Sequence, residues 1–318
     1  GLTPGDHLLY FFLYCSLLSA KSRLNDMGAG NTFKELSSTA LKNFTFPLPS
    51  WAEQQKIADC LSSLDGLIAA EGRMLEALKA HKKGLMQQLF PVPFDSAQGT
   101  DRSLSEVEMK PRLRFPEFRD KGAWEEKRLE ELAKRGSGHT PSKSKPEYYD
   151  GGIKWVSLAD SKRLDRGLIS HTQVEISKHG IENSSAVLHP AGTVLISRDA
   201  GVGKSAVMDI PMAVSQHFIV WTCNRLLLSN WFLYHLLQNI KPHFEMIATG
   251  STIKTIGLQY FKDLRVTIPS LPEQQRIADC LKTLDTRITA QVAKIDALKQ
   301  HKRGLMQQLF PSPEEVGA

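Results

Sequence analysis

Apolar residues recur in alternating steps of three and four along two stretches of the chain. In the first they are Ile57, Leu61, Leu64, Ile68, Leu75, Leu78, Leu85 and Leu89. In the second they are Ile277, Leu281, Leu284, Ile288, Ile295, Leu298, Leu305 and Leu309. This spacing predicts two long helices, over 50–91 and 271–311, each carrying a heptad seam of the kind that pairs with another helix in a supercoil. Ser50-Trp-Ala-Glu53 and Ser270-Leu-Pro-Glu273 are capping-box patterns at the two starts, and Pro272 falls in a first turn where its missing N–H costs nothing. Pro91 and Pro311 end the helices. At 1.5 Å per residue each spans on the order of 55 Å. Polar residues interrupt the seams at Glu71 and Lys82 and at Gln291 and Lys302, where a buried polar group fixes register at some cost in stability.

Elsewhere the pattern is mixed. Residues 92–111 lack periodicity and are rich in Ser, Asp, Glu and Gly, which predicts an irregular linker. Trp124 to Leu132 reads as a short strand-turn or a helix entry. Ile153 to Ser157, Gly192 to Ser197 and Ala213 to Cys223 read as strands, Ser229 to His243 as a helix, and Leu264 to Ile268 as a short final strand. Residues 112–270 are therefore expected to form an α+β domain with many loops. Leu8 to Leu18 is apolar but too short to cross a membrane, and it lacks a basic leader and a small-residue cleavage site; a buried helix is the better reading.

The two helical stretches are copies of one another. Residues 51–91 and 271–311 match at an offset of 220, with 25 identities in 41 positions. The match runs backwards without a gap: Gly30, Thr32 and Lys34 correspond to Gly250, Thr252 and Lys254, and Phe12-Leu13-Tyr14 to Phe232-Leu233-Tyr234. This is a duplication of a large unit, a globular part followed by a long helix. With two matched seams, antiparallel pairing about a pseudo-twofold axis is the expected solution. At this offset the counterpart of 112–220 would lie ahead of Gly1, so an N-terminal truncation is expected.

The net charge of +6 is unevenly placed. Residues 112–270 hold 22 Lys and Arg against 16 Asp and Glu, and the remainder is balanced. The whole excess therefore sits in the central domain, as a polyanion-binding surface requires, although a solvated basic face would show the same count. None of Cys15, Cys60, Cys223 and Cys280 forms a C-x-x-C pair, so no zinc or redox motif is indicated. They read as reduced core residues of a cytoplasmic protein, with Cys60 and Cys280 on buried helix faces. The basic helix ends, His81-Lys-Lys-Gly and His301-Lys-Arg-Gly, suit either a partner or DNA backbone, or simply complement the helix dipole.

Three polar loops carry the candidate recognition chemistry: 136–145, 198–205 and 249–254. Lys and Arg can meet phosphates there, and Ser, Thr, Gln and Arg can meet base edges. The residues selected are Lys143, Lys145, Arg198, Lys204, Ser205, Gln216, His217, Ser251, Thr252 and Lys254. His217 reads equally well as a satisfied core histidine, and Trp155 and Trp221 read as core rather than base-stacking residues. Gly201-Val-Gly-Lys-Ser205 is not a phosphate-binding P-loop, because Arg198 stands where that motif needs its first glycine. No adenine-methyltransferase motif and no nucleophile elbow is present, so a catalytic or metal site is not expected.

The block Glu53-Gln-Gln-Lys-Ile-Ala running into Lys83-Gly-Leu-Met-Gln-Gln-Leu-Phe90, repeated from Glu273 to Phe310, resembles the long helices of type I restriction–modification specificity subunits. Arg112-Leu-Arg-Phe-Pro-Glu-Phe, Trp124-Glu-Glu-Lys-Arg-Leu, Thr140-Pro-Ser, Gly152-Ile-Lys-Trp155, Gly192-Thr-Val-Leu, Gly203-Lys204 and Gln216-His217 resemble the same family more loosely. The resemblance implies a complete DNA target-recognition domain over 112–270, a C-terminal remnant of another over 1–49, the two paired helices as spacer, and a short tail over 312–318. It implies a subunit that reads double-stranded DNA and does no chemistry. Modification subunits using S-adenosylmethionine and a restriction subunit using ATP and Mg would assemble around it, and a homodimer through the helices is a further option. The alternative is a coiled-coil assembly protein, or a non-functional remnant, without specific DNA binding.

Overall fold

The computed structural model describes residues 2–28, 35–91, 110–251 and 253–311. The linker expected over 92–111 lies almost wholly outside them, as do the tail and Thr252. In chain order the helices are α1 (Tyr10–Ser19), α2 (Lys21–Asp26), α3 (Ser38–Lys42), α4 (Trp51–Leu89), α5 (Leu129–Leu132), α6 (Lys178–Glu182), α7 (Asn230–Ile247), α8 (Leu258–Asp263) and α9 (Leu271–Leu309). The strands are β1 (Glu125–Arg128), β2 (Ala133–Ser137), β3 (Tyr149–Val156), β4 (Leu168–Ile169), β5 (Val174–Ile176), β6 (Val194–Ser197), β7 (Ser205–Met208), β8 (Ala213–Val214), β9 (Phe218–Cys223) and β10 (Arg265–Ile268). The chain divides into two compact units, residues 1–78 with 288–318 and residues 79–287, so each unit holds a stretch of both long helices.

In the larger unit a five-stranded sheet has the order β2-β9-β6-β7-β4, antiparallel except for the parallel β7–β4 edge. A three-stranded sheet, β5-β3-β8, and a two-stranded antiparallel ribbon, β1-β10, complete it. β6 and β7 are buried along their whole lengths; β6 forms within the strand expected over 192–197, whereas β7 begins at Ser205, at the end of a stretch expected to be a polar loop. Helix α7 covers this sheet through Phe232, Leu233, Tyr234, Leu236 and Leu237, and Ser229 caps it by accepting from the Phe232 N–H. Trp221 lies in the same core and Trp155 in the core of the three-stranded sheet. The stretch 213–223 is two strands rather than one, broken by a turn at 215–217. Residues 124–132 hold a strand and then a helical turn.

Each unit pairs its stretches of α4 and α9 in opposite directions. In the smaller unit Lys302 Nζ lies 2.5 Å from Asp65 Oδ1, while Gln291 Nε2 donates to Glu71 Oε2 at 2.6 Å. Position numbers rise along one helix as they fall along the other, which defines an antiparallel coiled coil. In the larger unit Lys82 Nζ contacts Asp285 Oδ1 at 2.5 Å, which is the Lys302–Asp65 contact shifted by the repeat offset. The named seam positions of both helices are all buried or half-buried. The polar interruptions thus meet cross-helix partners: Lys82 and Lys302 meet carboxylates, and Glu71 meets Gln291.

Three expectations need correction. Cys60 is exposed and Cys280 half-buried, because both stand one position ahead of a seam leucine and turn out of the interface. Helix α1 is only partly buried: Phe12, Leu13 and Cys15 are covered, whereas Tyr10, Tyr14 and Leu18 are exposed. The second capping box is also not formed as expected. The Glu273 carboxylate receives Arg114 Nε and Nη2 at 2.7 Å each, with Trp124 Nε1 at 3.4 Å, instead of closing on its own helix start.

The duplication is visible atom by atom. Gln274 accepts from the Ser229 N–H at 2.9 Å and donates to the carbonyls of Leu227 and Pro269. Gln54 accepts from the Leu9 N–H at 2.8 Å and donates to the carbonyls of His7 and Pro49. Every partner is the other's counterpart at the repeat offset. Each glutamine is buried with both ends of its amide satisfied, which locks a long helix onto the segment leading into α1 or α7.

Candidate nucleic-acid interface

The selected loops meet along one contiguous run of hydrogen bonds in the larger unit. The loop at 138–145 is tied to β8 by the His139 N–H, which donates to the Val214 carbonyl at 3.0 Å. Gly138 is required there, because a Cβ would fall 1.8 Å from the Val214 oxygen. Thr140 Oγ1 then donates to Gln216 Oε1 at 2.5 Å. The neighbouring His217 places Nδ1 2.9 Å from Asp199 Oδ2. Arg198 donates its backbone N–H to the His217 carbonyl, and its carbonyl accepts from the Ile256 N–H. Asp199 and Thr249 both bridge to Thr255, which brings in the last loop. Gly250 turns that loop in the left-handed region at φ 129°, where a Cβ would strike the Ile253 carbonyl.

Along this rim the selected residues separate by exposure. Lys143, Lys145, Gln216, Ser251 and Lys254 are exposed, and Lys145 has only a loose contact to Glu147 at 3.8 Å. Arg198, Lys204 and His217 are half-buried and engaged. Arg198 Nε donates to the Ile256 carbonyl at 3.2 Å, and Lys204 Nζ donates to Ser161 Oγ at 2.9 Å. His217 is thus a paired histidine at the rim rather than a core residue. Ser205 must be withdrawn as a DNA contact. It is fully buried, and its hydroxyl accepts from Gln238 Nε2 at 2.7 Å. The same amide and Lys241 bind Asp165, so Ser205 belongs to a network joining β7, the 165 turn and α7.

Two features of the rim escaped sequence reasoning. Asp199 anchors His217 and so shapes the loop that Arg198 begins. Ala200, Gly201, Val202 and Lys204 line a cleft of about 470 Å³ with Glu245, Ile253 and Lys254. Neither Asp199 nor Glu245 fits a search for cations, yet both sit among them. Among the described residues no group of His, Cys, Asp and Glu is arranged to hold a metal ion, and no helix is long and apolar enough to cross a membrane.

Comparison with known proteins agrees with this architecture. The family model described as type I restriction modification DNA specificity domain matches residues 2–80 and 121–300. The specificity subunit of the type I restriction enzyme EcoR124I/EcoR124II from Escherichia coli is 28% identical over 208 residues, which is 61% of this chain and 50% of that one. The MjaIX specificity subunit from Methanocaldococcus jannaschii is 27% identical over 167 residues, 52% of this chain and 38% of the relative. The chain thus spans about half the length of these relatives. In fold, the S subunit of a type I restriction–modification system from M. genitalium superposes with a TM-score of 0.60 at 18% identity, covering 96% of this chain and 74% of that one. A chain from a structural study of complex assembly and conformational transition of the type I R-M system gives 0.62 at 16% identity, covering 96% and 72%. With the family model matching well over half of its residues, this chain belongs to the type I restriction modification DNA specificity domain family.

Proposed function

We propose that the chain is a DNA-recognition subunit of a type I restriction–modification complex, reading one target segment with the rim of its larger unit. The observation that carries this is the rim itself. Loops from four separate parts of the sequence are stitched together by backbone and side-chain bonds, and they present Lys143, Lys145 and Lys254 with exposed Gln216 and Ser251 among them. Lysines meet phosphates and set affinity, while amide and hydroxyl groups meet base edges and set specificity. The chain does no chemistry in this reading. Adenine methylation by modification subunits with S-adenosylmethionine, and cleavage by a restriction subunit with ATP and Mg, take place in the cytoplasm on DNA that this chain positions. Pairing of two copies through the helices would require exchange between chains, since each seam already faces its mate within one chain.

Reconstitution tests the reading. The chain is combined with modification subunits from the same system, and methyl transfer to adenines is mapped on DNA of mixed sequence. Methylation confined to one sequence, and lost with Lys143→Ala, Lys145→Ala and Lys254→Ala together, is expected. Identical methylation with and without the chain would overturn it.

A further inference from the structure

The turn between β8 and β9 carries a side chain whose chemistry is set by its neighbour. His217 Nδ1 lies 2.9 Å from Asp199 Oδ2 and 2.8 Å from Oδ1. An ionised carboxylate only accepts, so Nδ1 carries the proton of the pair. In a neutral imidazole the other nitrogen, Nε2, is then an acceptor. No hydrogen bond to Nε2 occurs among the described residues, while the side chain is 32% exposed at the rim.

Both members of the pair are held in place. The His217 carbonyl accepts from the Arg198 N–H at 2.9 Å, and the Phe218 N–H closes the turn on the Ser215 carbonyl at 3.2 Å. The Asp199 carbonyl accepts from the Ser197 hydroxyl at 2.5 Å, and its backbone bridges to Thr255. A ring exposed to this extent could satisfy both nitrogens with water. A largely buried carboxylate given over to Nδ1 selects one tautomer and one ring orientation instead. The ring also stands among groups assigned to DNA: Gln216 beside it is exposed, and the exposed Lys254 precedes the Thr255 that bridges to Asp199.

We propose that His217 is a specificity-determining residue that accepts, through Nε2, a hydrogen bond from the exocyclic amine of one base in the major groove, and that Asp199 is the positioning residue that keeps it an acceptor. The amine is N6 of adenine or N4 of cytosine, the two donors that the major groove presents. Guanine and thymine present oxygens there, which an acceptor repels, so choice comes from a mismatch as well as a match. A phosphate oxygen is an acceptor too, so the tautomer that Asp199 selects suits a base edge and not the backbone. This role rests on the DNA-recognition function proposed for the rim and deepens it.

The chain reconstituted with modification subunits is the test system, at pH 8, where imidazoles are ordinarily neutral. Methylation mapping with His217→Ala should show relaxed choice at one base pair of the recognised sequence. Duplexes are then made in which the adenine or cytosine of that pair lacks its amine, with purine in place of adenine or pyrimidin-2-one in place of cytosine. Removing the amine should weaken binding of the parent about tenfold more than binding of His217→Ala. Asp199→Asn admits both tautomers and keeps the shape of the site, so it should lose most of that difference, and it carries the test should His217→Ala unfold. Both variants should keep the parent's dependence on salt, whereas loss of a phosphate contact would lower the slope by about one. Equal weakening of parent and variants by amine removal, or a slope lowered by about one, would overturn the proposal while leaving sequence-specific methylation by the parent, and so the recognition function, in place. Methylation by the parent that follows no sequence would overturn that function and this role with it.

Discussion

At the residue scale, two buried polar sites behave in opposite ways. Glu273 is 1% exposed and is held by Arg114, so its charge is matched where it is buried. Removing one partner strands the other. Arg114→Ala should therefore cost about 3–5 kcal/mol, read as a fall in the urea midpoint; an unchanged midpoint would deny the bond that role. His235 is the contrary case. It is fully buried, both ring nitrogens lack hydrogen-bond partners among the described residues, and Asp285, Lys82, Trp231 and Tyr234 surround it. Burial, and then the Lys82 charge, push its pKa down to about 3. The unfolded chain takes up a proton near pH 6.5 that the folded chain refuses. The contribution of a neutral His235 is thus complete above about pH 6.5 and is lost as pH falls toward 3. Burial raises the Asp285 carboxyl pKa, which opposes the loss at the acid end. His235→Leu should melt no lower than the parent at pH 7, and its melting temperature should fall less between pH 7 and 5. Parallel pH profiles for the two proteins would contradict this account.

At the scale of elements, the paired helices hold register through polar positions as well as apolar ones. Glu71 and Gln291 are equivalent residues of the repeat and face each other, and Lys294, followed by Gln291, holds the Glu71 carboxyl below the usual range. Replacing Glu71 and Gln291 together by Leu should raise the melting temperature while loosening register, as polar seam positions do elsewhere. Size-exclusion chromatography with light scattering would detect the mixed species, and a single peak at the parent's mass would count against a register role. Leu61 and Leu281 are completely buried at equivalent positions, and either truncated to Ala should cost about 2–5 kcal/mol.

These helices were legible in the sequence because a heptad repeats one rule over 39 residues, and the structure bounds them as Trp51–Leu89 and Leu271–Leu309. Short strands obey no such rule. The turn at 215–217 interrupts an apolar run with only Ser, Gln and His, so two strands read as one. The rim was legible as polar loops but not as a network. That Ser205 faces inward follows from β7 being covered on both faces, and the partnership of Asp199 with His217 joins residues 18 apart. The Glu273 bond to Arg114 spans 159 residues, so a local capping pattern was the nearest reading available.

At the scale of the whole molecule, the repeat supplies two helix ends, two glutamine locks and two aromatic pairs, while the excess positive charge lies in residues 112–270 alone. The DNA-reading rim proposed for the chain is therefore assigned to the larger unit. Its most direct test is the affinity of the chain for duplex DNA measured across salt concentrations. The logarithm of affinity should fall linearly with the logarithm of salt, by about 0.9 for each phosphate contacted. Lys143→Ala, Lys145→Ala and Lys254→Ala should each flatten the slope by about one. An affinity that does not change with salt, or a slope that the three substitutions leave unaltered, would contradict the assignment of this rim to DNA.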